Sequence, residues 1–232
     1  AQTSFDSTIS AVSVKELTKS NSILNLQDSA GVSATEFRSD YTSGVASIFI
    51  GLNSGANNIS GALNVGLGTS ALATNTTGGI NTAVGSGALA SNTTGSTNSA
   101  FGGGFGNYTL GVNSSGSSNS AFGAAALRDN TVGNNNTAVG FGAGANNTIG
   151  SNNTFLGYGT SVFGLIQPSN TTVIGYNAIS GRSNSLILGG EGSNAVNVGI
   201  GTSNPNNILS VESVYYSTGT IDWSGTTITG TG

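Results

Sequence analysis

The chain contains no cysteine, no histidine and no methionine, only 2 prolines and 1 tryptophan, and charged residues make up 6% of its 232 positions. Without cysteine there is no disulfide framework and no thiolate metal site, while the compartment stays open. Without histidine the usual acid–base group of neutral pH is missing. No run of 18 or more apolar residues occurs, so no transmembrane helix is expected. The formal net charge is −4, whereas a nucleic-acid binder would carry a basic stripe. From Tyr41 to Leu127 not one side chain is charged. The chain begins "AQT" rather than with methionine, which fits a processed product or a fragment.

What is present in quantity is glycine, 38 residues of it, together with Asn, Ser and Thr. All four are poor helix formers, so an all-β chain is expected. The stretch "NTAVGSGALASNTTGST" has near-copies on both sides. Taking the glycine that closes N-x-x-[VILF]-G as a register mark, it falls at Gly51, Gly68, Gly85, Gly102, Gly123, Gly140, Gly157, Gly175, Gly189 and Gly201. Most intervals are 17 residues, with one of 21 and a shortening toward the end. Four residues before the mark stand Asn64, Asn81, Asn98, Asn119, Asn136, Asn153 and Asn197, with Ser47, Thr171 and Ser185 as exceptions. A second apolar pair follows in several copies: Ala71-Leu72, Ala88-Leu89, Ala126-Leu127 and Ala178-Ile179.

A 17-residue unit cannot bury its own apolar side chain, but it can when stacked on copies of itself. The expected fold is therefore a parallel β-solenoid of two-strand coils spaced by about 4.8 Å. The large residue before each mark is expected to point inward as a core ladder: Ile50, Leu67, Val84, Phe101, Phe122, Val139, Leu156, Ile174, Leu188 and Ile200. Strand alternation then sends Ala83, Ala100, Ala121 and Ala138 outward, where their small size suits an inter-chain seam. The repeated asparagine suits an amide ladder or a side-chain-to-backbone turn. A calcium-binding β-roll needs aspartates in its turns, and between Gly51 and Gly201 only Asp129 is available.

Residues 1–46 lack the repeat and hold five of the nine acids and three of the five bases, which marks a cap or attachment segment. Within it "SNSILNLQDSAG" reads as a short strand ending in a turn. The repeat domain is expected over 47–204. Residues 205–232 follow it as a C-terminal β segment, opened by Pro205 and leading to a further module.

"NTAVGSGALASNTTG" and "VIGYNAIS" resemble the repeats of phage and viral tail-fibre proteins, and are similar to the head repeats of trimeric autotransporter adhesins. "NVGIGTSNPNNILSVES" resembles the segment that leads toward a C-terminal chaperone in many fibre proteins. The resemblance covers residues 47–230 and implies a homotrimeric fibre of a virion or cell surface. Such a fibre is a stiff spacer presenting a receptor-binding tip, with other fibre proteins at its ends and a host glycan or protein as target. The adhesin repeat is usually nearer 14 residues than 17, and no chaperone domain is present here.

No catalytic constellation is visible. Nucleophilic acyl transfer needs a nucleophile beside a base, and Lys15 and Lys19 lie outside the repeat. Glycoside hydrolysis needs two facing carboxylates, and the repeat offers only Asp129 and Glu191, several coils apart. The glycine strings lack the Lys-Ser/Thr ending of a phosphate loop. No enzyme activity, cofactor or metal site, nucleic-acid partner or membrane insertion is expected. Tyr108, Tyr158 and Tyr176 follow the mark and are candidates for surface contact, by packing at a seam or stacking on sugars. The four extra residues around Tyr108 to Ser118 make a longer loop, the kind of place where a rigid scaffold carries function. Two alternatives stay open: a bacterial surface adhesin or filament, and an ice-binding solenoid. The latter needs a Thr at one outward place in every coil, which Thr82, Thr137 and Thr154 supply but Ser99 and Ser120 interrupt.

Overall fold

The computed structural model describes residues 22–27, 33–42, 45–104, 106–163, 167–190, 196, 198–200 and 209–211. They contain strands and turns and no helix. Three strands come first: β1 (Ser22–Gln27), β2 (Ser33–Thr42) and β3 (Val45–Ile50). Then one triplet recurs per coil: β4 (Val65–Leu67), β5 (Thr82–Val84), β6 (Ser99–Phe101), β7 (Ser120–Phe122), β8 (Thr137–Val139) and β9 (Thr154–Leu156). The later coils carry β10 (Ser161–Val162), β11 (Thr171–Ile174), β12 (Ile179–Ser180) and β13 (Ser185–Leu188).

These form an all-β parallel solenoid of about eight turns. The main sheet has 11 strands in the order β1-β2-β3-β4-β5-β6-β7-β8-β9-β11-β13. From β3 onward every pairing is parallel and in register: Thr82 on Ser99, Ala83 on Ala100, Val84 on Phe101, and so on to Ile174 on Leu188. The 21-residue interval does not disturb this register, because its additional residues follow Gly102 and leave the strands untouched. β1 and β2 continue the sheet antiparallel, the position a cap would occupy. β10 pairs with β12 on another side of the coil. Residues 1–194 form one compact unit and 195–232 a second, in which β14 (Val198–Ile200) pairs in parallel with β15 (Leu209–Val211). Gly201 and Pro205 lie outside the described residues.

The inside of the coil is the reverse of the expected one. Ala83, Ala100, Ala121 and Ala138 are fully buried. The large residues beside them face out: Phe101 is 36% exposed, Phe122 42%, Val139 40% and Leu156 45%. Leu188 is also exposed, and Ile50, Leu67, Val84 and Ile174 are half-buried. The side chain of Ile200 lies outside the described residues. The alanines are therefore not an inter-chain seam, and the ladder of large residues is not the core. The physical reason lies across the coil. Leu72, Leu89, Leu110 and Leu127 fill the interior from the opposite side at 0% exposure, and a narrow coil has room there only for a methyl. Where the sheet side supplies a ring, the opposite side supplies nothing: a Cβ on Gly144 would lie 2.6 Å from the Phe155 ring. Gly55 faces Phe49 of its own coil, whereas Gly144 lies in the coil before that of Phe155; both phenylalanines are buried.

The leucines belong to turns rather than to a second strand, and they sit at φ of 49–53°. Left-handed backbone costs an ordinary residue on the order of 1–2 kcal/mol, roughly what burying a leucine returns. The register glycines have φ near 130° at Gly51, Gly68, Gly85, Gly102, Gly123, Gly140 and Gly157. A Cβ on Gly68 would stand 2.7 Å from the Gly85 carbonyl carbon. Glycine is required there both by dihedral angle and by the approach of the next coil.

Two asparagine ladders complete the interior. In the expected one, the N–H of Asn81 donates to Asn64 Oδ1 at 2.9 Å, that of Asn98 to Asn81 at 2.9 Å, and the pattern runs on to Thr171. The second, Asn58, Asn75, Asn92, Asn113, Asn130 and Asn147, escaped the reading of the sequence. Its signal was the asparagine three residues before a second recurring glycine, as in "NTTG". Both ladders converge on that glycine's carbonyl: Gly95 accepts from Asn81 Nδ2 at 2.9 Å and Asn92 Nδ2 at 2.9 Å. Among the described residues no buried side-chain polar atom lacks a partner, which is the condition for keeping amides in a core.

Candidate assembly surface

Each strand triplet turns two side chains outward and one inward. The sheet therefore presents two parallel columns, one residue per coil each. The first runs Ile48, Val65, Thr82, Ser99, Ser120, Thr137, Thr154, Thr172 and Leu186. From Thr82 to Thr172 it carries a hydroxyl at every coil, and none of these hydroxyls makes a hydrogen bond among the described residues. The hydroxyls of Thr76, Thr93, Ser114 and Thr131 behave differently, each donating to a carbonyl of the next coil at 2.9–3.0 Å.

The second column is the one expected inside. It is apolar at every coil from Ile50 to Leu188. At its middle the rings of Phe101 and Phe122 stack, with centroids 5.0 Å apart and planes 5° from parallel. Just past the register glycine a second stack follows, Phe141 on Tyr158 at 5.5 Å and Tyr158 on Tyr176 at 5.4 Å. Both faces of the Tyr158 ring are covered by its neighbours, while each ring at the end of a stack has one face in the stack. Tyr108 is 37% exposed, and its ring lies over Gly87 at the base of the long loop. Phe105, in that loop, lies outside the described residues.

Charge is sparse around these columns. Arg128 and Asp129 pair with each other at 2.7 Å on the surface. Their hydrogen bonds hold the guanidinium protonated beyond its usual range, against a weaker opposing effect of desolvation. Among the described residues no three His, Cys, Asp or Glu side chains gather to hold a metal ion. A shallow depression of about 570 Å³ is lined by Ala56, Asn57, Asn58, Ile59, Thr74 and Thr76, none of them ionisable. No protein family, curated protein sequence or solved structure matches the chain.

Proposed function

We propose that the chain is a structural and adhesive element: a stiff solenoid spacer that assembles with copies of itself through its outward sheet face. The observation that carries this reading is the uninterrupted apolar column on the outside of the sheet, with the small residues inside. Soluble monomers rarely leave a contiguous apolar strip of that length uncovered, and here no charge interrupts it. In the wider setting the chain serves as a segment of an extracellular fibre, in first place the tail fibre of a virion presenting a receptor-binding tip to a host. The repeats it resembles support that setting. A bacterial surface adhesin or filament is the alternative with the same physics. The role is non-catalytic and needs no cofactor. β1 and β2 act as its N-terminal cap.

The ice-binding alternative gains from the strict register of the hydroxyl column, but Ser99 and Ser120 stand at its centre and phenylalanine rings rise beside them. The assembly reading is tested by native mass and imaging of the purified chain. Wild type should form particles of more than one 22.7 kDa chain. Val139→Asp with Leu156→Asp should return single chains with unchanged β-sheet content. Wild-type protein that stays single-chain over a wide concentration range would overturn it.

A further inference from the structure

The apolar column is symmetric about its own midpoint. Counting outward from the gap between β6 and β7, Phe101 is matched by Phe122, Val84 by Val139, Leu67 by Leu156, and Ile50 by Ile174. The identity of the side chain is the same at each of the four steps. The order is already present in the register-marked sequence, and in the sheet each step is one strand. The hydroxyl column shares this centre for two steps, Ser99 matched by Ser120 and Thr82 by Thr137, and departs from it beyond, where Val65 stands against Thr154 and Ile48 against Thr172.

We infer that this face is the isologous interface of a two-fold pair, in which two copies pack sheet to sheet with their solenoid axes antiparallel. The inference rests on the assembly reading above and replaces three chains by two. A dyad requires that where residue i meets residue j of the partner, j also meets i. A dyad lying along the strand direction, between β6 and β7, reverses the row order and keeps each column opposite its own kind. Phe101 then meets Phe122 of the second copy, Val84 meets Val139, and the unpaired hydroxyls of Ser99 and Thr82 meet those of Ser120 and Thr137. A dyad along the solenoid axis keeps the row order: set midway between the columns it puts the Ser99 hydroxyl against the Phe101 ring, and set over the apolar column it leaves the hydroxyl column outside the interface. Three chains around an axis would each divide this face between two neighbours, an arrangement that makes no use of its two-fold symmetry.

The energetics agree with a pair. Two stacked rings from each copy place four phenylalanines at the centre, where binding energy concentrates in an interface. Eight rows about 4.8 Å apart and two columns about 7 Å apart, side-chain width included, present on the order of 500 Å² per chain. The total of about 1,000 Å² is where specific protein pairs begin.

The absence of cysteine makes a direct test available. Full-length Thr82→Cys and Thr137→Cys variants, both at outward positions, are produced singly and co-expressed, then treated with a short bis-maleimide. The antiparallel pair predicts a covalent two-chain product in the co-expressed sample and at least ten-fold less in either variant alone, where like positions stand three rows apart. Phe101→Asp should reduce the native mass from two chains to one. Crosslinking of Thr82→Cys to itself, or a native mass of three chains, overturns the antiparallel pair while leaving self-assembly intact. A single-chain wild type overturns both.

Discussion

Asn92 Nδ2 donates to Asn75 Oδ1 at 2.8 Å and to its own turn's Gly95 carbonyl at 2.9 Å, while its Oδ1 accepts from Asn113 Nδ2 at 2.8 Å. One amide thus ties three successive coils and closes a turn. Amide donors and acceptors are used in opposite directions along the axis, so the ladder has a polarity that only Asn or Gln satisfies, and Gln is one methylene too long for the turn.

Asn92→Asp should therefore be far worse than its size suggests. The carboxylate would face the Asn75 oxygen and the Gly95 carbonyl, both acceptors, in a site with no exposure. Burial beside acceptors pushes such a carboxyl above the usual value of about 4. A folded-state pKa above the unfolded one means that stability falls as pH rises from the unfolded value toward the folded one. Denaturant melts should show a loss of about 3 kcal/mol or more at pH 7, and a smaller loss at pH 4, where the protonated acid donates one hydrogen bond. An equal loss at both pH values would mean that the ladder contributes shape rather than hydrogen bonds.

The solenoid was legible in the sequence because register glycines and asparagines recur independently of what they touch. The inside was not. Period-2 alternation separates Ala83 from Val84 but does not say which faces in, and the ordinary preference for burying the larger residue points the wrong way here. The deciding signal was Asn81, two residues before Ala83 and so on the same face. A ladder asparagine must be inside, and it takes the alanine with it. Phe49, Phe155 and Val173 at the alanine position gave the same sign. The outward residues read as core because their size alone marks them for burial. The paired symmetry of the column is present in the register-marked ladder, and it reads as an interface only once that ladder faces outward.

Substitutions at neighbouring positions should separate the two faces. Ala100→Leu inserts three carbons into a filled interior and should cost about 1–3 kcal/mol or more. Val139→Ala, on the exposed column, should change the stability of a single chain by no more than about 0.5 kcal/mol. Thermal melts of both variants in the single-chain Phe101→Asp background keep assembly out of the comparison. A larger loss for Val139→Ala would reinstate the opposite facing.

Glycines of this chain should divide sharply by place. Gly85 has φ 127°, and a Cβ there would lie 2.6 Å from the Gly102 carbonyl carbon. A Cβ on Gly104 would meet nothing within 4 Å. Gly85→Ala should break the stack locally and lower the melting temperature by many degrees, whereas Gly104→Ala in the long loop should leave it unchanged. Equal tolerance at both would mean that coils slide apart to admit a methyl.

Phe155 and Gly144 offer the sharpest test, because the fold contains the other solution to the same space. In one coil Ala121 is small and Leu127 large; in the next both Ala138 and Gly144 are small, and the Phe155 ring of the following coil fills the space above Gly144, with Leu127 also touching it. Gly144 keeps φ 64°, close to the 49° of Leu127, so a leucine there adopts backbone already used for leucine. Phe155→Ala alone opens a cavity and should cost about 3–5 kcal/mol. Gly144→Leu alone drives a side chain into the ring and should be at least as damaging. The double variant gives the coil of Ala138 the Ala–Leu arrangement and should recover most of the loss, a coupling of more than about 2 kcal/mol in a double-mutant cycle. Losses that simply add would show that the ring and the glycine do not share one space. The interior would then be looser than a coil filled alternately from its two sides.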